Sequence, residues 1–218
     1  MFIEGTLRWK VTEDCPWDLL VALCLRDMAG LADLGEPVLP AVTPAVPAVA
    51  HTVLRPGRTG GTGPGSADKD GGGGHRGALR AQWLAWWART ATPGTRPYVS
   101  DLRPPHFAAF DRQLELQDLI ETHYVAAARW ADRRREEYLR TRSERRAAFA
   151  ADVVEPVRER EHALRRQAGY FRLDLCVLPL AERGTWVIAP DTIAISRGLR
   201  EDLPAFRAWW RRLAEVLV

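Results

Sequence analysis

Three short stretches carry residue types at spacings that could do chemistry. Glu159-Arg160-Glu161-His162 holds a Glu-x-x-His step, which places a carboxylate and an imidazole on one helix face as metal ligands. A carboxylate-bridged two-metal site needs two such steps and two further inward glutamates, and this chain has a single step. The inverted zinc step His-x-x-Glu-His would need a histidine where Arg158 stands. A solvated helix face is the expectation there, with no metal and no other cofactor. Ala194-Ile195-Ser196-Arg197-Gly198 resembles a nucleophile elbow with alanine in place of its first glycine. In that arrangement the acid and the histidine follow the serine, and no histidine follows Ser196. Ser196 therefore reads as a turn residue at a strand end. Gly60 to Gly65, followed by Ser66, has the outer glycine spacing of a phosphate loop but lacks the lysine that reaches the terminal phosphates. His123 sits beside an apolar helical stripe and reads as a hydrogen-bonded, half-buried histidine. These stretches yield no complete catalytic set.

Two richer clusters suggest binding rather than catalysis. Arg129, Arg133, Arg134, Arg135, Arg140, Arg142, Arg145 and Arg146 outnumber Asp132, Glu136, Glu137 and Glu144 within about five helical turns, with Trp130 and Tyr138 interleaved. Arg133, Arg134, Arg135 and Arg140 could grip a phosphate backbone. Four-residue pairs such as Glu136 with Arg140 and Arg133 with Glu137 could instead neutralise one another. The second cluster is aromatic: Trp83, Trp86 and Trp87 in one helix, Trp209 and Trp210 in another. Neighbouring residues diverge by about 100° around a helix, so one member of each adjacent pair is expected at the margin or outside. That margin could form a contact surface for a protein partner.

Composition bounds the answer. The chain has 218 residues, 46% of them hydrophobic, with nine tryptophans and a formal charge of +3. Lys10 and Lys69 are the only lysines among 31 basic residues, so the other 29 are arginine. With abundant Ala, Gly and Pro, that skew reflects GC-rich coding and is discounted as evidence for nucleic acid. Cys15, Cys24 and Cys176 are odd in number and lack Cys-x-x-Cys spacing, which suits a reducing, cytoplasmic setting. No basic region followed by an apolar run opens the chain, and no apolar run is long enough to span a bilayer.

Phe2 to Val11 alternates as a half-buried strand. Asp14 and Pro16 open a helix that is apolar nearly all round and stops at Gly30. Gly35 to Gly77 is first Pro-rich and then Gly-rich, and its composition predicts a flexible insertion outside the core. A helix bearing Leu79, Trp83, Trp86 and Trp87 ends at Pro93, and a long helix runs from His106 to about Ala151. Glu155-Pro156 marks a kink or the start of a further helix reaching about Ala168. The tail alternates through Phe171 to Val177, turns near Glu182 to Gly184, and continues in Trp186–Ile188 and Thr192–Ile195. Asp202 caps a last helix with the stripe Leu203, Phe206, Trp210, Leu213 and Leu217.

A lone strand and a lone hairpin are each marginal in water. These elements therefore predict one α+β domain over residues 1–218, with a small antiparallel or mixed sheet joining the N-terminal strand to a C-terminal hairpin. Residues 35–77 form the insertion and 78–218 the main part. A helical bundle carrying a small β-element is the alternative. The expected function is a non-catalytic interaction or accessory protein that binds a protein partner through Trp83, Trp86, Trp87, Trp209 and Trp210. Nucleic-acid binding through the arginine helix, or a small enzyme lacking a recognisable motif, are the alternatives.

Overall fold

The alternation that begins at Phe2 divides into two strands, β1 (Phe2–Gly5) and β2 (Trp9–Asp14), antiparallel with Phe2 opposite Glu13. A two-residue period carries no signal of chain reversal, so one long strand was expected there. The computed structural model describes residues 2–5, 8–49, 71–92, 100–144 and 146–218. The glycine spacing at 60–65, His51 and the prolines at 93 and 97 lie outside the described residues. Strand β2 lies parallel to β3 (Phe171–Leu178), with Val11 beside Leu173. In turn β3 lies parallel to β5 (Thr192–Ser196), which pairs antiparallel with β4 (Thr185–Ala189). The sheet order is β1-β2-β3-β5-β4. The expected hairpin across Glu182 to Gly184 does not form, because β3 and β4 are not neighbours; the hairpin at this end of the sheet joins β4 to β5 across Pro190 and Asp191. After β3 the chain does not fold back on it, because Leu180 pairs with Val42 instead.

With six helices and this five-stranded mixed sheet among the described residues, the fold is α+β. Helix α1 (Trp17–Met28) starts at Pro16 without a side-chain cap, since Asp14 is spent as the last residue of β2. Its far end is a Schellman motif. Gly30, at a left-handed φ of 66°, donates to Asp27, and Leu31 donates to the Arg26 carbonyl. Residues 19–26 of α1 are all buried, as an all-round apolar helix requires. Each leucine so buried contributes roughly 1.5–3 kcal/mol relative to exposure.

The Pro-rich half of the expected insertion belongs to the core. Fully buried Arg26 donates from Nη1 to the Leu39 carbonyl at 2.9 Å and from Nη2 to the Pro40 carbonyl at 2.8 Å. Its neighbour Asp27 accepts from the Val42 amide at 2.6 Å, and Val49 donates to the Met28 carbonyl. Leu39 and Val42 are buried on this frame. Composition misled here because one buried guanidinium supplies the donors that a proline-rich segment cannot find within itself. The last glycines also have a place. Helix α2 (Gly71–Ala91) begins at Gly71, ahead of the position its apolar stripe suggests.

Helix α3 spans Leu114–Glu144, preceded by a short 3₁₀ turn at Ala108–Phe110 rather than beginning at His106. Helix α4 spans Arg146–Leu164 and carries Pro156 within it, so that proline does not open a helix. A five-residue helix, α5 (Arg197–Glu201), leads into α6 (Leu203–Leu217), where Asp202 accepts from the Ala205 amide as expected. Strand parity sorts the side chains into two cores. Trp9, Val11, Leu173, Leu175, Ile193 and Ile195 meet α4 and α6 on one face of the sheet. Cys176, Leu178 and Ala194 meet α1, α2 and α3 on the other.

Candidate functional site

The tryptophans expected at a surface line the cores instead. Trp83, Trp86, Trp87 and Trp210 are all buried, and only Trp209 stays half-buried, against Phe206 and Trp210. Trp83 donates to the Ala22 carbonyl at 3.0 Å and stacks on Trp87 at 5.4 Å. Trp86 meets Phe110 edge-on, and Trp210 donates to the Val153 carbonyl at 3.0 Å. The expected divergence of adjacent residues holds at Trp209 and Trp210. It fails at Trp86 and Trp87 because α2 is covered across an arc wide enough to take both.

Two arginines of the long helix pair within it. Arg134 meets Glu137 at 2.6 Å, Arg140 meets Glu136 at 3.6 Å, and Glu137 also receives Arg197 at 2.7 Å. Asp132 accepts from the Trp17 indole, while Arg135 is half-buried. Arg129, Arg133 and Arg140 face solvent. Ser196 is buried and accepts from the Gly184 and Leu199 amides, capping α5 as a strand-end residue. His162 is exposed, His123 is half-buried, and Glu161 accepts from the Ala168 amide. Among the described residues no group of three or more His, Cys, Asp or Glu side chains could hold a metal ion.

Two polar clusters that the sequence did not single out remain. The first lies at the carboxyl ends of the parallel strands, where Glu13 and Arg200 form a buried ion pair at 2.6 Å. Tyr138 donates to Glu13 at 3.4 Å, and Asp152 joins Arg200 at 3.8 Å to Arg207 at 2.6 Å. Burial raises the Glu13 carboxyl above its ordinary range although Arg200 and the Tyr138 hydroxyl pull it down. Burial likewise pushes the Tyr138 hydroxyl up, with the Glu13 charge reinforcing it. The adjoining cavity is about 30 Å³, room for little more than water. This cluster ties β2, α3, α4, α5 and α6 together, and it is a fastening.

The second cluster lies on the opposite face, at the amino-terminal half of β2 and β3. Parity turns Lys10 and Thr12 from β2, and Arg172 and Asp174 from β3, to the same side, with Asp191 at the β4–β5 turn beside them. They surround a cavity of about 410 Å³. Lys10 stands directly across the ladder from Arg172, and Thr12 directly across from Asp174, to which its hydroxyl donates. The Asp174 amide donates to the Asp191 carbonyl at 2.8 Å. Thr192, the β5 partner of Asp174, is buried with a hydroxyl that has no hydrogen-bond partner among the described residues. Among the described residues the charged ends of Lys10 and Arg172 likewise have no partner. Like charges directly opposed across a ladder are destabilising, so this pair is a cost unless an anion meets it.

Alternation from Phe2 to Val11 puts Lys10 on the polar face of its strand, opposite Val11 and Trp9. Neither strand alone hints at the cation pair, since it exists only once the register of β2 on β3 is known. No helix among the described residues is long and apolar enough to cross a membrane. No protein-family model, no curated protein and no solved structure matches this chain.

Proposed function

We propose that this chain is a non-catalytic binding protein whose ligand is a small molecule bearing a carboxylate or phosphate, held between Lys10 and Arg172. One observation carries the reading: two unpaired cations stand side by side on neighbouring strands at the wall of a 410 Å³ cavity. A ligand anion would turn their repulsion into two charge-assisted hydrogen bonds, each contributing about 1.5–3 kcal/mol. A cytoplasmic setting suits this reading, supported by three buried thiols in no disulfide.

Calorimetric titration of the full chain with inorganic phosphate, acetate and succinate tests it. At least one should bind, and Lys10→Gln or Arg172→Gln should weaken that binding tenfold or more. The ligand-free Lys10→Gln protein should melt no lower than the parent, because the substitution removes a repulsion. Absence of binding by all three anions and by every larger carboxylate tried, amino acids included, would sink the proposal.

A second reading, nucleic-acid binding through α3, is favoured by the solvent-facing Arg129, Arg133 and Arg140. It predicts binding to single-stranded or duplex DNA that falls steeply with salt and weakens in Arg133→Gln/Arg140→Gln. A flat salt response removes it.

A further inference from the structure

The cation pair does not stand alone on the cavity wall, and its neighbours restrict what the anion belongs to. Asp174 and Asp191 line the same space as Lys10 and Arg172. Among the described residues neither aspartate forms an ion pair with either cation or with anything else. Four charged side chains line one cavity, and none of them pairs with another. At the carboxyl ends of the strands Glu13, Arg200, Asp152 and Arg207 form a closed chain of contacts. The charges around the cavity also sum to zero, so a bare phosphate would leave the space negative and a bare cation would leave it positive.

We propose that the ligand is a zwitterion of the α-amino acid type, its carboxylate held by Lys10 and Arg172 and its ammonium by Asp174, with Asp191 at the rim. This rests on the binding reading above and narrows it. The spacing agrees: Arg172 and Asp174 are two residues apart on β3, a step of about 6.6 Å. A carboxylate and an ammonium on one carbon, each with a charge-assisted hydrogen bond of about 2.8 Å, bridge such a step. Thr12 already donates to one oxygen of Asp174, which orients the carboxylate and leaves the other oxygen for the ammonium.

The test is calorimetric titration of the full chain with each of the twenty common amino acids and with its N-acetyl derivative, which keeps the carboxylate and removes the ammonium. At least one free amino acid should bind, at least tenfold tighter than its acetylated form. Asp174→Asn should erase that preference, whereas Arg172→Gln should abolish binding of both. Should Asp174→Asn fail to fold, Asp191→Asn at the exposed turn should reduce the preference. Equal binding of free and acetylated acids, or binding of phosphate with no amino acid, overturns the zwitterion while the anion site stands. If no amino acid, acetylated acid or phosphate binds, both fall.

Discussion

At the scale of single residues, the strongest commitments in this molecule are its buried ion pairs and its three buried thiols, none of them in a disulfide. Arg200 faces Glu13 at 2.6 Å and lies over the Phe206 ring at 4.3 Å, with both charges almost wholly enclosed. Arg200→Ala should destabilise the protein by about 3–5 kcal/mol, since it leaves Glu13 buried without its cation. The double variant Glu13→Leu/Arg200→Met should recover most of that loss in urea unfolding. A double variant as unstable as the single one would show that the pair is not the unit. Burial also pushes the Cys15 and Cys24 thiols up to about 12, so neither offers appreciable thiolate near neutral pH. Ellman's reagent at pH 8 should leave both unmodified in the folded protein and react with all three cysteines in denaturant. Rapid native labelling of Cys15 would contradict the packing around the end of β2. The sequence revealed little at this scale. Ser196 as a strand-end residue and Asp202 as a cap were readable because caps and turns act over three or four residues. Glu13 with Arg200, and Lys10 with Arg172, join positions more than 160 apart, and no local pattern records them.

At the scale of elements, local period was a good guide to type and a poor one to direction. Helix α6 and strand β3 stood out in the sequence because a one-sided apolar stripe fixes both state and orientation. The split of the first strand, the identity of the hairpin and the parallel run of β3 were not readable, since alternation looks the same in either direction. The Pro-rich segment was misjudged for another reason, its dependence on one side chain of α1. Arg26→Met keeps the length and removes the donors to Leu39 and Pro40. It should cost about 3–5 kcal/mol, because Asp27 loses its cation and two carbonyls lose their donor. Hydrogen exchange should report where the loss falls. The amides of Val42, Thr43 and Val49, which bond to Asp27, Pro179 and Met28, should lose protection before those of β3. Uniform loss throughout the chain would mean that the segment has no separate docking step.

At the scale of the whole molecule, both sheet faces and both cores draw on each end of the chain. The tail strand β3 lies between β2 and β5, and α1 packs against α3. We therefore expect a single cooperative unfolding transition. A protease site inserted after Gly61 and cut should leave two fragments that co-elute in size-exclusion chromatography until denaturant is added. Fragments that separate in buffer would break the chain into two units. The same pairing has a consequence during synthesis. Val11 must wait for Leu173, and at about 5–20 residues per second the ribosome takes roughly 8–30 s to supply it. For most of that interval α1, apolar nearly all round, lacks α3 (Leu114–Glu144), and for all of it the sheet beneath it is incomplete. The nascent chain thus presents a sticky amino-terminal helix until its later partners emerge, a surface that a ribosome-bound holdase would cover.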